Sequence, residues 1–332
     1  NKSWIKKRTK RLLMMLLMIL LTWQKTLWVI LQRPMEYHNP VLLHPTVDGL
    51  DIKPDGVYVD VTFGGGGHAK EILSRLSDKG KLIAFDQDTD ALANTIDDPR
   101  FILVNENFRF LKRFLRFHGV KQVDGILGDF GVSSHQFDVA QRGFSTRFEA
   151  DLDMRMNQGA AFSAFDVVNN YEEAHLRSVL FQYGELRAAA GMARIICEVR
   201  KEKEIKTSDQ LKTALGRFLP KHRENKILAQ IYQAIRIEVN QELEVLKEFL
   251  QQTIDVLKPG GRLSLISYHS LEDRLVKRFM RNGMFEGEPE KDVFGRVEVP
   301  LKPIGKFIIP TDVEIKTNNR ARSAKLRVAQ KL

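Results

Sequence analysis

The sequence predicts an α/β fold in which a mostly parallel sheet is interrupted by a helical insertion. Short apolar runs with strand character alternate with helical segments over residues 57–128, which is the pattern of a doubly wound sheet. From about 138 to 222 helical periodicity prevails and no good buried strand is found. A further strand-like run follows a long amphipathic segment at 225–257, so the sheet is expected to resume beyond the insertion.

The first strand-like run, 57–61, leads into four glycines, Gly64–Gly67, and a helix-like segment begins at Ala69. The next apolar run, 81–85, is followed by Asp86. This order of strand, glycine turn, helix and acid-tipped strand is typical of nucleoside sites. Glycines let the backbone approach the ligand, and the acid accepts hydrogen bonds from ribose hydroxyls. We therefore expect a nucleoside cofactor here.

The other elements follow from hydrophobic periodicity and from turn residues. Recurring apolar positions from Ile227 to Leu257 predict one long helix over 225–257, which Lys258-Pro-Gly-Gly261 terminates. The predicted strands are 57–61, 81–85, 101–104, 123–128 and 262–267. The predicted shorter helices are 69–76, 89–95, 108–117, 172–182, 186–203 and 208–218. We expect a core domain made of 35–137 and 223–332, with 138–222 as an inserted helical domain.

Residues 1–34 contain eight Lys or Arg, no acid and an apolar run at Leu12–Leu21. That run is shorter than the ~20 apolar residues that a membrane-spanning helix needs, and no small-residue cleavage site follows it. We expect 1–34 to lie outside the fold as upstream sequence translated in frame, with Met35 as the natural start. A membrane anchor is the alternative.

Composition limits the partners and the compartment. The net charge of +10 is concentrated at the two ends, so a polyanion would meet local basic patches and not a global field. The single cysteine, Cys197, excludes an intrachain disulfide and fits a reducing cytoplasm. The eight histidines show no paired ligand spacing, so no metal is expected.

Two cofactors fit the glycine turn. The spacing Gly64-x-Gly66-x-x-Ala69 satisfies the dinucleotide fingerprint, which leaves an NAD-dependent oxidoreductase open. Two features favour S-adenosylmethionine. The fourth strand leads into an insertion where a dinucleotide fold would build its second half. The turn Leu257-Lys-Pro-Gly-Gly261 before a strand is common in S-adenosylmethionine-dependent methyltransferases.

Eight sequence blocks occur in an order that resembles the bacterial 16S ribosomal RNA cytosine-N4 methyltransferases, the RsmH/MraW family, over 35–332. The blocks are His38–Leu43, Thr62–His68, Asp129–Ser134, Arg142–Ser145, Leu152–Met156, Gln233–Asn240, Ser267–Arg274 and Arg320–Arg327. This chain departs from the common pattern at Gly128 and Phe130, where leucines are usual, and at Tyr268, which is often Phe.

The resemblance implies a Rossmann-like class I S-adenosylmethionine-dependent methyltransferase core with an inserted helical domain that recognises RNA. It implies methylation of a cytidine N4 in the decoding region of 16S ribosomal RNA, within the small ribosomal subunit. A non-catalytic ribosome-assembly factor that keeps the fold is the alternative. The oligomeric state is left open, with a dimer as one option. Carried over by motif, the cofactor contacts are Gly66, Gly67, His68, Asp86, Phe108, Asp129 and Gln136.

Asp129 is also the candidate catalytic residue. Cytosine N4 is a poor nucleophile, so the protein must place it and relieve the positive charge that grows on nitrogen. A carboxylate at the end of the fourth strand would do both; whether Asp129 contacts the amine, the cofactor or both is left open. The candidate contacts to substrate RNA, by stacking or by phosphate binding, are Phe130, Arg142, Tyr268, His269, Arg320 and Arg322.

Overall fold

A seven-stranded sheet organises the part of the chain that the structure, a computed structural model, describes: residues 40–289 and 297–332. The strands are β1 (Val57–Asp60), β2 (Lys81–Phe85), β3 (Phe101–Val104), β4 (Val123–Asp129), β5 (Leu257–Ser267), β6 (Leu301–Pro303) and β7 (Lys325–Lys331). Their order is β3-β2-β1-β4-β5-β7-β6. The first five strands are parallel, and β7 runs antiparallel to both of its neighbours. The predicted α/β fold class is confirmed.

The strand order bears on the choice of cofactor. Dinucleotide-binding sheets have the order 3-2-1-4-5-6, built from two equivalent halves. Here the antiparallel strand β7 pairs with β5 from Arg262↔Gln330 to Ser267↔Lys325. The half made by β1, β2 and β3 is intact, but its counterpart is altered, which argues against a dinucleotide. The β6–β7 pair was not predicted from the sequence.

Twelve helices lie in the described residues: α1 (Leu43–Asp48), α2 (Gly67–Ser74), α3 (Leu111–Phe117), α4 (Ser134–Asp138), α5 (Ala164–Asn170), α6 (Glu173–Gln182), α7 (Ala189–Glu202), α8 (Ser208–Ala214), α9 (Glu224–Asn240), α10 (Glu242–Val256), α11 (Ser270–Asn282) and α12 (Asp312–Thr317). The predicted helix at 89–95 is a 3₁₀ segment, Thr89–Asn94, capped by the Asp88 side chain. Within the described ranges, none of the helices combines the length and the hydropathy that crossing a membrane requires.

The single long helix predicted over 225–257 is wrong, because the chain forms α9 and α10 with a break at Gln241 (φ 50, ψ 36). Ile231 and Ile235 of α9 belong to a core cluster of the helical insertion. Phe249 and Leu250 of α10 belong to a core cluster of the sheet. One straight apolar stripe cannot enter two separate cores, so the left-handed residue redirects the chain between them.

Helices α5 to α8 share a hydrophobic cluster of their own, which includes Leu176, Met192 and Ile196 together with the loop residue Met154. Residues of α9 join this cluster, so it continues beyond position 222. The predicted domain boundaries stay a prediction. The expectations for residues 1–34 concern residues outside the described ranges.

The sheet brings three acids to one edge. The strands β1, β2 and β4 are almost wholly buried, and each leads at its carboxyl end to an aspartate: Asp60, Asp86 and Asp129. Because β1 lies between β2 and β4, Asp60 occupies the middle of this edge. Ligands of open α/β sheets bind outside the carboxyl ends of the strands.

Candidate active site

The glycine turn between β1 and α2 is tied to the tip of β2. The Gly64 N–H donates a hydrogen bond of 2.7 Å to Asp86 Oδ2. Gly66 has a φ of 74°, and a Cβ there would lie 3.0 Å from the Phe63 ring. A Cβ on Gly67 would lie 2.1 Å from Cγ of Pro40, which packs on the start of α2. Side chains are therefore excluded at both glycines, and the backbone itself lines the turn.

His68 uses its side chain to hold the segment that covers this turn. The buried imidazole places Nε2 3.2 Å from the Val41 carbonyl oxygen. Burial lowers the pKa of His68 to about 4, so the ring is neutral at pH 7 and the Nε2–H donates. Gly67 and His68 lie in the first turn of α2, where backbone N–H groups have no partner within the helix. These N–H groups are what the motif offers to a ligand.

Asp86 is oriented by the backbone on both sides. Its Oδ2 accepts from the Gly64 N–H, and its Oδ1 accepts from the Asp88 N–H at 2.9 Å. Burial raises the pKa of Asp86 to about 6, although these two hydrogen bonds oppose the shift. A carboxylate has about four lone-pair sites, so Asp86 retains acceptor capacity for ribose hydroxyls.

Asp60, at the end of β1, is a site residue that the sequence analysis missed. Its side chain is fully buried. Its Oδ1 accepts from the Thr62 N–H at 3.0 Å, whereas Oδ2 has no hydrogen-bond partner among the described residues. Burial, reinforced by the negative charge of Asp86, raises the pKa of Asp60 to about 7. The available signal was an acid at the end of the strand that enters the glycine turn.

Asp129, at the end of β4, is held from two directions. Its N–H donates to Thr62 Oγ1 at 2.6 Å, and its Oδ1 accepts from the Tyr268 hydroxyl at 2.8 Å. Burial raises the pKa of Asp129 to about 7, against the effect of the Tyr268 hydrogen bond and with that of the Asp60 charge. The structure thus brings Asp129 together with Tyr268 and Asp60, all at the predicted edge.

Phe130 does not lie where a stacking residue must. Its side chain is 5% exposed and packs in an aromatic cluster with Phe108 and Phe249, at ring-centroid distances of 5.8 and 6.0 Å. A Cβ on Gly128 would lie 3.1 Å from the Phe130 ring, so the two departures from the family pattern fit each other. The Phe130 ring is thus part of the core in this structure, and its predicted stacking on RNA stays a prediction. Phe108 is half-buried beside it, after β3, where it was expected.

Arg142 and Gln136 meet at a buried acid, Asp88. Arg142 is 6% exposed and its Nη2 lies 2.8 Å from Asp88 Oδ2, while its Nη1 donates to Asp90 at 2.6 Å. Gln136 Nε2 donates to Asp88 Oδ2 at 2.6 Å. Burial alone would raise the pKa of Asp88, but the bonds from Arg142 and Gln136 hold it below its ordinary value.

This arrangement argues against the phosphate contact predicted for Arg142, which stays a prediction. The guanidinium also donates to the carbonyl oxygens of Arg155 and Met156, so its charge and donors serve the interior. Gln136 is likewise engaged on both sides, because its Oε1 accepts from the Ser133 N–H at the start of α4. Ser133, Arg142 and Met156 belong to three of the sequence blocks, so these hydrogen bonds connect the three blocks inside the protein. Asp88 was not predicted, although the spacing Asp86-x-Asp88 was visible.

His269 is also internal, which argues against its predicted contact with RNA; that contact stays a prediction. Its side chain is 8% exposed, caps α11, and places Nε2 3.1 Å from Glu272 Oε1. Glu242, His269 and Glu272 offer ligand atoms within 4.8 Å of one another. Arg236 already pairs with Glu242 at 2.8 Å, so the protein supplies positive charge to this cluster itself. The expectation of no metal stays a prediction.

The two arginines of the C-terminal block differ. Arg320 pairs with Asp138 and donates to the Ser134 carbonyl, and its guanidinium lies 5.6 Å from the Phe137 ring centroid. It therefore ties the segment before β7 to α4. Arg322 is exposed, and its guanidinium has no protein partner among the described residues. A contact with RNA phosphate remains a prediction for both.

Comparison with known proteins places this site in a family. The family model described as "MraW methylase family" matches residues 35–332. The "Ribosomal RNA small subunit methyltransferase H" of Flavobacterium johnsoniae is 70% identical over 298 residues, 90% of this chain and 99% of that protein. The protein of the same name from Cytophaga hutchinsonii is 53% identical over 89% of this chain and 99% of its own length.

Among solved structures, an rRNA methylase from Streptococcus thermophilus has a TM-score of 0.40 at 13% identity, covering 87% of this chain and 95% of that one. The resemblance read from the sequence blocks is confirmed by the family model and by the curated relatives. The chain belongs to the MraW methylase family.

Proposed function

We propose that this protein transfers a methyl group from S-adenosylmethionine to the exocyclic N4 amine of a cytidine in the decoding region of 16S ribosomal RNA. The observation that carries the proposal is Asp129. It is a carboxylate with a raised pKa, fixed at the end of β4 beside the glycine turn, and one of its oxygens has no hydrogen-bond partner among the described residues. The names of the relatives support ribosomal RNA of the small subunit as the substrate.

The residues present fit the cofactor. Asp86 is oriented to accept from ribose hydroxyls, and Phe108 is half-buried where an adenine would pack. The fully buried Asp60 Oδ2 has no hydrogen-bond partner in the part of the chain that the structure describes, and a ligand ammonium near the glycine turn would supply one. Space for backbone contact exists at Gly64, where an added Cβ would meet no atom closer than 4.0 Å. When bound, S-adenosylmethionine supplies an electrophilic methyl carbon on a sulfonium.

The chain's own groups then act on the amine. As N4 attacks, it gains positive charge and must release one proton. The Asp129 carboxylate accepts a hydrogen bond from N4–H, which orients the nitrogen lone pair and offsets the growing charge. A pKa near 7 allows Asp129 to take up that proton at neutral pH and pass it to water. Asp129 is the catalytic residue in this proposal.

The substrate context follows from the same assignment. A base that is methylated on its exocyclic amine must leave its stack, which is easier in a structured RNA loop than in a duplex. We propose that the helical insertion, 138–222, contacts 16S ribosomal RNA within the small subunit, and that the protein acts in the cytoplasm. Arg322 is the best placed of the predicted phosphate contacts, since it is exposed and unpaired within the described residues.

The test combines a cellular and a binding measurement. Mass spectrometry of ribosomal RNA from cells with and without the gene should show the loss of one methyl group on a cytosine of 16S RNA. Calorimetric titration should show binding of S-adenosylmethionine and none of NAD. Unchanged RNA in cells without the gene would refute the methyl transfer, and binding of NAD alone would restore the oxidoreductase.

A further inference from the structure

We propose that Tyr268 is a positioning residue, whose hydroxyl fixes the carboxylate of Asp129 so that Oδ1 is held by the protein and Oδ2 faces the target amine. The inference rests on the proposed function and deepens it. It replaces the stacking role that the sequence analysis gave to Tyr268. It also assigns a purpose to a hydroxyl that many relatives lack, according to the resemblance described above.

The first step is the asymmetry of the Asp129 carboxylate. Oδ1 accepts from the Tyr268 hydroxyl at 2.8 Å, and the backbone N–H of the same residue is tied to Thr62. Oδ2 has no hydrogen-bond partner among the described residues. A carboxylate anchored through one oxygen cannot rotate freely, so the other oxygen is kept in a single direction.

The second step is that Tyr268 is itself immobilised. Its backbone N–H donates to Glu272 Oε2 at 2.9 Å, and Glu272 is buried in the first turn of α11. The ring lies beside Gly131, where a Cβ would be 3.4 Å from Cδ2. The ring also packs on the small core cluster that contains Leu42 and Ile266. With its backbone and its ring held, the hydroxyl is a fixed point from which Asp129 is aimed.

The third step separates positioning from stacking. A stacking residue offers an open ring face to the base, whereas this ring packs on protein and its only polar atom is spent on Asp129. The other charged groups that face this pair are acids: Asp60 from β1, Glu272 from α11 and Glu314 from α12. The hydroxyl therefore favours the ionised form of Asp129 among like charges and opposes the rise of its pKa.

The experiment is Tyr268→Phe in the full chain, assayed on small ribosomal subunits across pH. The ring is retained, so folding is expected to survive, and a thermal melt checks it. We expect kcat at pH 7 to fall about tenfold or more, which is the effect of one hydrogen bond to a charged group. The KM values for RNA and for S-adenosylmethionine should stay unchanged. The acidic limb of the kcat profile should move to higher pH, because the Tyr268 hydrogen bond lowers the pKa of Asp129 and the pKa rises when that bond is removed.

Tyr171→Phe is the matched control. Its hydroxyl also donates to a carboxylate, Glu238, at 2.5 Å, but at the α5–α6 junction of the insertion. The pH limb should not move in this variant. For Tyr268→Phe, a raised KM for RNA with unchanged kcat would restore the stacking role, and an unshifted limb would overturn positioning. Wild-type protein that methylates no cytosine N4 would instead refute the proposed function, so the two failures are distinguishable.

Discussion

Asp88 differs from Asp60 and Asp129, which lie at the same edge of the sheet, in its hydrogen-bond donors and in the direction of its pKa shift. Asp88 is surrounded by donors from Arg142 and Gln136, and its pKa is held low. Asp60 and Asp129 have few partners, and burial raises the pKa of each to about 7. A buried acid that the protein satisfies completely is a structural brace. A buried acid that lacks such donors requires a hydrogen-bond donor from a ligand. The comparison therefore distinguishes structural acids from acids of the candidate site.

The largest effect is expected at Asp129, an acid with few hydrogen-bond donors from the protein. Asp129→Ala removes the acceptor for the N4 amine, and we expect methyl transfer to small subunits to fall about 10³-fold. Binding of S-adenosylmethionine should survive, because the glycine turn and Asp86 are untouched. Initial rates and calorimetric titration measure the two quantities.

Asp124→Asn is the matched control for that change, since Asp124 is a buried acid at the other end of the same strand and pairs with Lys258. It should lower stability without a selective loss of the chemical step. If Asp129→Ala abolishes cofactor binding, the catalytic role of Asp129 is not established. The comparison would then distinguish only ligand-binding residues from structural residues.

The next largest effect is expected at Asp88, the buried acid that accepts hydrogen bonds from Arg142 and Gln136. Arg142→Ala leaves Asp88 buried without its counterion, so the free energy of unfolding should fall by about 3–5 kcal/mol. Urea unfolding monitored by circular dichroism gives the value. Arg109→Ala is the control, because its partner Glu248 is at the surface and such pairs contribute about 0–1 kcal/mol. A stable Arg142→Ala protein with weakened RNA binding would reinstate the phosphate contact.

The sequence predicted which edge of the sheet carries the candidate site better than it predicted the contacts within that site. Strand runs and the glycine turn are local patterns, so the position of Asp86 followed from periodicity, whereas Asp129 was assigned through the resemblance of its sequence block. The partners of Arg142 and Tyr268 come from segments 52 and 139 residues away in the chain, and such pairings leave no local signal. Residue type alone does not decide the role of Arg142, because an arginine in a sequence block suits a buried carboxylate as well as a phosphate.

The break at Gln241 shows the same limit in the fold. Both α9 and α10 have helical periodicity, and no proline or glycine separates them. The change of direction is dictated by two cores that exist only after folding. Local helix propensity therefore predicts that these residues are helical, but it does not predict where the chain changes direction.

A smaller effect tests Asp60 through pH. Its pKa is raised from an ordinary value near 4 to about 7, so between these values the folded protein holds a proton that the unfolded chain has lost. The stability from this group is present at low pH and is lost as pH rises from about 4 to about 7, by at most ~1.4 kcal/mol per pH unit. Asp60→Asn should remove that slope, leaving the variant up to about 4 kcal/mol more stable at pH 8 than the ligand-free wild type.

Thermal melts from pH 4 to 8 of the two ligand-free proteins provide this measurement. Asp88→Asn is the opposite case, since a low pKa contributes stability that is present at neutral pH and lost on acidification. If the melting temperatures of wild type and Asp60→Asn depend on pH in the same way, the proposed difference between Asp60 and Asp88 is contradicted. If Asp60 Oδ2 receives a ligand ammonium, the same substitution should weaken binding of S-adenosylmethionine about tenfold while it stabilises the free protein.

The smallest effect compares two arginines. Arg322 is exposed and unpaired in the described part of the chain, so Arg322→Ala should leave unfolding within about 0.5 kcal/mol of wild type. Its RNA affinity should fall a few-fold, and the dependence of log K on log salt should lose slightly less than one charge. Filter binding to small-subunit RNA at several salt concentrations measures both. Arg142→Ala should do the reverse, losing stability without a change in salt slope, because its charge is already neutralised inside the protein by Asp88 and Asp90.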